Sequence, residues 1–341
     1  MFRKLFKEEN KNLIFLFLFF SLIIVSLPRF DRADYGPIKK FVGYEELYEG
    51  LPYDILIYKR YIEYFRTGQG EGKIHSPYTQ RIFVPFMASY LPFAPLTSFN
   101  LVNLTFLLIG LICLYQILIK LMIDFEFRVI GCLLYIFSFP LFYYGTSGYI
   151  DGTIIGMMMA ACYFTISRKW LLLFIVICCG TLASEKTIIL LPFFVAYLYT
   201  KKINFKTSLY LVLIFVSVYI ITIISLRKFA PSSEQSYVWI PGMEFIMQNI
   251  FRPKTYLSFL ITFGLPGLLA IISYFKLPAE IRRSVFYFYV GCATSIVLYL
   301  FSIFSAWADG RTVWTSYPFT IPLAVLYLQS RNSKKMITRL M

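Results

Sequence analysis

The chain has 341 residues, of which 58% are hydrophobic, 20% aromatic and only 15% charged, and its mean hydropathy is +0.67. Soluble domains carry about 25% charged residues, so an ordinary water-soluble globule is excluded. The 33 Lys and Arg outnumber the 18 Asp and Glu for a formal charge of +15; membrane orientation accounts for this excess, and no nucleic-acid partner is predicted.

Ten apolar runs can be marked, at roughly 13–27, 97–119, 129–144, 152–167, 170–183, 187–200, 207–226, 256–275, 284–305 and 312–328. Charges or turn residues bound each of them. They predict an all-α, polytopic membrane protein forming one transmembrane domain over 1–341, with about ten transmembrane helices. Several runs are shorter than the roughly 20 residues of a full span, so tilted or broken helices are expected. Strands alternating every second residue, the mark of a membrane β-barrel, are not seen.

The first run follows a basic start and lacks a small-x-small cleavage site, so it reads as a retained helix with its N-terminus inside. That choice puts 1–12, 120–128, 168–169, 201–206, 276–283 and 329–341 on the inner side. These segments hold 18 basic and 5 acidic residues, a net +13, and the remainder of the chain is left with +2. Short basic inner loops follow the positive-inside bias, and both termini are placed inside. The reading needs a hairpin at Ser184-Glu-Lys186 between Trp170 and Tyr199. One continuous helix there would swap the side of every later loop.

Between the first two spans lies the one long polar stretch, a first outer loop over 28–95. Within it, Tyr53 to Arg66 reads as an amphipathic helix with Lys59, Glu63 and Arg66 along a polar stripe, ended by Thr67-Gly-Gln-Gly. Arg81 to Leu91 is a second apolar segment too short to span. Both are expected to lie in the membrane interface, where Tyr and Phe are at home. A second long outer loop, 227–255, carries an amphipathic stretch near Met243 to Phe251. The six cysteines all fall inside apolar runs, so no structural disulfide is expected.

Charges near membrane depth are costly and usually line a cavity with a partner. Topology places Asp151, Glu185, Lys186, Asp309 and Arg311 at outer helix tips, on the same side as the first loop with Asp31, Asp34, Asp54, His75, Tyr78 and Arg81. Each has a plainer use. Asp151 would cap a helix, Glu185 and Lys186 would satisfy each other, Asp309 and Arg311 would form an interfacial pair, and His75 would bond within its loop. Arg81 opens an apolar segment and needs an anion nearby, which lipid phosphate could supply. Nucleotide-binding glycine loops and metal-ligand spacings are not found, and His75 is the only histidine, so no metal site is predicted.

The order Tyr53-Asp54-Ile-Leu-Ile-Tyr58, amphipathic helix, Gly68, then Ser76-Pro-Tyr-Thr-Gln-Arg81-Ile-Phe-Val-Pro85 resembles the C superfamily of integral-membrane glycosyltransferases (GT-C). Those enzymes place an acidic residue in a first outer loop ahead of interfacial helices. Ser184-Glu-Lys-Thr187 followed by Leu191-Pro192 is similar to a segment of bacterial members. The chain departs from the better-known families in lacking a paired Asp-Glu and a large soluble outer domain. The resemblance implies a transferase in the bacterial cytoplasmic (inner) membrane that takes sugar from a polyprenyl-phosphate-linked donor to a lipid, glycan or protein acceptor. No organic cofactor is implied, and a divalent cation is left open. Asp54 is the expected base, with Asp34 and Asp31 as rivals. Arg81, Lys186 and Arg311 are the expected phosphate clamps, and His75, Tyr78, Asp151, Glu185 and Asp309 the remaining substrate-binding candidates. A flippase for lipid-linked sugars and a polysaccharide polymerase are the alternatives.

Overall fold

A computed structural model describes residues 10–30, 47–48, 51–69, 78–229, 242–305 and 308–332. The described residues are almost wholly helical, apart from a two-residue antiparallel pair of β1 (Leu47–Tyr48) with β2 (Leu51–Pro52). In chain order the helices are α1 (Lys11–Ser26), α2 (Tyr53–Thr67), α3 (Phe83–Ser89), α4 (Pro95–Lys120), α5 (Phe125–Ile136), α6 (Phe139–Tyr144), α7 (Asp151–Ile166) and α8 (Trp170–Ala183). A 3-10 turn (Glu185–Ile189) leads into α9 (Leu190–Thr200), then α10 (Phe205–Phe229), α11 (Met243–Ile250), α12 (Pro253–Lys276), α13 (Ala279–Ser284), α14 (Phe286–Ser305), α15 (Gly310–Trp314) and α16 (Tyr317–Asn332).

Among the described residues, five helices are long and apolar enough to cross a membrane: Lys11–Arg29, Pro95–Lys120, Phe205–Leu226, Pro253–Lys276 and Phe286–Ser305. They turn large apolar side chains outward, such as Phe17, Leu213, Ile221, Leu260 and Phe301. In water such a belt would be strongly unfavourable; against lipid it is neutral. The chain is an integral membrane protein.

Several apolar runs are interrupted, 312–328 among them, between α15 and α16. The run 129–144 breaks at Phe137, where the Ser138 side chain accepts the Leu141 N–H and Pro140 opens α6. In α12, Gly264 adopts φ 50° and ψ −156°, a conformation that favours glycine, two residues before Pro266. The Tyr317 hydroxyl takes up the Thr262 carbonyl beside this break at 2.8 Å.

The most extensive helix contact joins α4 and α7. A Cβ on Gly156 would fall 2.0 Å from the Phe106 carbonyl oxygen, so only glycine allows this approach, and Gly110 faces the same spot. Small residues at crossings are how membrane helices approach closely. This crossing fixes α7, and with it Asp151 at its first turn.

The Ser184 segment reverses the chain. The rings of Trp170 and Phe194 lie 5.9 Å apart, where one continuous helix would separate them by about 36 Å. Asp151, Glu185 and Lys186 thus share one end of the bundle. At the other end Tyr197 bonds the Ile166 carbonyl at 3.2 Å, Lys201 reaches the Ser284 carbonyl at 3.4 Å, and Gln329 accepts from Asp124 N at 2.8 Å. All six cysteines are free thiols, three buried and three partly buried.

Candidate functional site

α2 carries Asp54 in its first turn and buries Ile55, Leu56, Ile57, Tyr58, Tyr61 and Ile62. Gly68, at φ 72°, ends it. Arg66, on the polar stripe, donates to the carbonyls of Leu91 (2.8 Å) and Phe93 (2.9 Å) and to Ser98 Oγ (3.1 Å). These bonds tie α2 to the link between α3 and α4 and set where Asp54 stands.

Four ion pairs converge on this end from distant parts of the chain. Arg311 joins Asp54 Oδ2 at 3.2 Å to Asp309 Oδ2 at 3.3 Å. Arg81 grips Glu185 with two nitrogens, Nη2 to Oε1 at 2.7 Å and Nε to Oε2 at 3.3 Å. Lys186 meets Asp151 at 3.2 Å. Phenols complete the arrangement. Tyr78 donates to Asp54 Oδ1, Tyr144 to Asp309 at 2.8 Å, and Tyr58 accepts from Arg81 at 3.3 Å. The Arg311 guanidinium lies 4.2 Å over the Tyr149 ring.

The electrostatics favour charged forms. Burial alone would raise the Glu185 pKa, but the Arg81 guanidinium outweighs it and holds the group at about 2. Asp309 is likewise lowered against burial, by Arg311 and by the Tyr144 hydroxyl. Burial pushes Tyr78 and Tyr58 up, Tyr78 with further help from the Asp54 charge, so both remain neutral phenols. Arg81 and Arg311 are raised by Glu185 and Asp309 respectively, which outweigh burial.

Asp54, Tyr78, Arg81, Asp151, Glu185, Lys186, Asp309 and Arg311 therefore come together, whereas Asp31, Asp34 and His75 lie outside the described residues. The local pairings differ from the plainer expectations. Glu185 and Lys186 do not pair with each other, because the 3-10 turn sends them to Arg81 and Asp151. Asp151 does not cap α7: its carboxylate turns to Lys186, and the N-cap residue Ile150 has no side-chain cap of its own. Asp309 does cap α15, accepting Arg311 N–H at 3.1 Å while also binding the Arg311 side chain.

Sequence reading missed the residues that hold the 145–153 turn. Asn103, buried in α4, accepts Thr153 N (3.0 Å) and Oγ1 (2.8 Å) and donates to the Tyr149 carbonyl at 2.7 Å. Asn100 accepts Gly148 N at 2.8 Å. Their signal was present: two amides three apart on one face of a lipid-length helix need partners.

Between α4, α7 and α8, deeper in the bundle than the charges, is a cleft of about 220 Å³ with wholly apolar walls, including Phe83, Phe106, Met157, Phe164, Val176 and Cys179. Phe83 follows Arg81 by two residues, and Met157 lies about 9 Å along α7 from Asp151. Among the described residues, no three His, Cys, Asp or Glu side chains gather closely enough to hold a metal ion.

Known protein families, curated proteins and solved structures offer no match to this chain. Inference about its chemistry therefore stands on the charged cluster and the cleft.

Proposed function

We propose that the protein is a membrane glycosyltransferase of the GT-C type, moving a sugar from a polyprenyl-phosphate-linked donor to a hydroxyl of a lipid, glycan or protein. In this reading ten helices cross a bacterial cytoplasmic membrane, both termini are inside, and the charged cluster faces outward. The observation that supports it is the meeting of Asp54, Arg81, Asp151, Glu185, Lys186, Asp309 and Arg311 at one end of a membrane bundle, with an apolar cleft deeper in the bundle.

The chemistry asks for a base and for cations. The acceptor oxygen forms a bond to the anomeric carbon, the bond from that carbon to the phosphate oxygen breaks, and the electron pair leaves with the phosphate. Asp54 takes the acceptor proton. Fixed cations stabilise the charge that builds on the leaving phosphate. A phosphate departs without being protonated, so a second acid is unnecessary. The Tyr78 and Arg311 bonds orient the Asp54 carboxylate, and the cleft takes the hydrocarbon chain of the donor.

The test is Asp54→Asn. Loss of a positioned base costs about 10²- to 10⁴-fold, so the surface glycan product should disappear while protein level and melting behaviour persist. Product at the parental rate would remove the base assignment. The break in α12 at Gly264 favours a second reading, transport of a lipid-linked sugar, because broken helices mark many transporters. Sugar crossing sealed vesicles with no new glycosidic bond would select that reading.

A further inference from the structure

Each cation of the cluster is already held by a carboxylate of this chain, so an anionic ligand that is to take the two-pronged edge of the Arg81 guanidinium must take the Glu185 carboxylate's place. The pairs are not equivalent. The side chains of Asp151, Asp309 and Asp54 keep 6%, 22% and 25% of their exposure, and that of Glu185 keeps 42%. Asp54 and Asp309 are also gripped by Tyr78 and Tyr144. Apart from Arg81, the Glu185 carboxylate is met by a long 3.4 Å contact from its neighbour Ser184 and by its own backbone N–H. Its cation is the fixed member of the pair: Arg81 is 15% exposed, bonded to Tyr58, and 5.6 Å from the Tyr78 ring centre.

We propose that Glu185 is a resident stand-in for the ligand's phosphate. Two oxygens of an alkyl phosphate take over Arg81 Nε and Nη2, the Glu185 carboxylate swings to the solvent side, and the alkyl chain follows the apolar segment that Arg81 opens toward Phe83, one wall of the cleft. Arg fits carboxylate and phosphate with the same two-pronged geometry, which is why the exchange needs no movement of the guanidinium. The inference rests on the reading of this end as a lipid-phosphate site. It adds which cation receives the phosphate and which acid yields. A neutral lipid has nothing with which to displace the carboxylate, so the pair selects for anionic head groups.

Calorimetric titration of the full chain in neutral detergent tests this, with dodecyl phosphate as the probe and dodecanol as its neutral counterpart. Glu185→Gln should bind dodecyl phosphate about tenfold more tightly than the parent, with dodecanol unchanged. The gain should persist in 1 M salt, where screening acts within about 3 Å and a general field effect would vanish. Glu185→Asp, whose shorter side chain loosens the grip on Arg81, should show a smaller gain and covers the case in which the Gln variant does not fold. Equal phosphate affinity in parent and variants, all above dodecanol, overturns the displacement and leaves the phosphate reading standing. Lack of preference for phosphate over dodecanol in any of them removes both.

Discussion

At the basic end of the bundle the chain turns by local backbone bonds. After α4, α7 and α9, Met122, Arg168 and Lys202 adopt φ of 55°, 56° and 49°, and the following amides of Ile123, Lys169 and Ile203 reach back to Leu118, Phe164 and Leu198. The three turns share one pattern, in which the chain caps its own helix. At the opposite end, ion pairs join residues 104, 35 and 257 positions apart. Local turns would suffice to reverse the helices there too, so the long-range charges serve something other than reversal. One end turns by local bonds, and the other gathers charges from distant parts of the chain.

The contrast is sharpest at Arg311. Replacing it by Met leaves Asp54 and Asp309 facing each other without their shared cation, and a broken pair of this kind costs about 3 to 5 kcal/mol when mostly buried. Lys201→Met at the basic end removes a weak bond to an exposed carbonyl and should cost under about 0.5 kcal/mol. Denaturant unfolding of both variants in detergent gives the comparison. Similar losses from the two would mean that the ends are equivalent in how they use charge.

Why was one half of this legible and the other not? Charges are so sparse in the chain that their parity along successive spans already brings Asp54, Arg81, Asp151, Glu185, Lys186, Asp309 and Arg311 to one side. Their partners were hidden, because sequence neighbours such as Glu185 and Lys186 suggest a local pair that a 3-10 turn forbids. Neutral groups were overlooked for a related reason. Asn100, Asn103, Tyr58 and Tyr149 carry no charge and sit among apolar residues, yet they fix the turn and the guanidinium positions. Arg66 lies on the polar stripe that the sequence places it on, but its carbonyl bonds to the α3–α4 link leave no mark in the sequence. The number of spans is weakly written as well: α7, α8 and α9 are shorter than a bilayer is thick, so length alone identifies five crossings.

Acid should act on the gathered end. With Glu185 at about 2 in the folded chain against an ordinary 4.5, its contribution to stability is fully present above about pH 4.5 and is lost as pH falls toward 2. Asp309, also lowered, adds in the same direction. The melting temperature should therefore decline through that window, and Glu185→Gln should flatten part of the decline, by about 2 °C for a group that solvent still reaches. An unchanged acid profile in the Gln variant would show that the Arg81 pair contributes nothing to the folded state.

A small effect of the opposite sign is expected at the turns of the basic end. A side chain in the left-handed region costs about 1 kcal/mol, which glycine avoids, while glycine gives back part of the gain through a freer unfolded chain. Met122→Gly should therefore stabilise by about 0.5 kcal/mol, seen as a small rise in melting temperature. Arg168 and Lys202 are under the same backbone strain, yet in the proposed topology they also supply positive charge to the inner side. Glycine there should give the same gain in melting temperature while weakening the orientation bias. Met122 carries no charge, so it separates the two effects: a loss of stability at Met122→Gly would show that the backbone strain is not what these positions have in common.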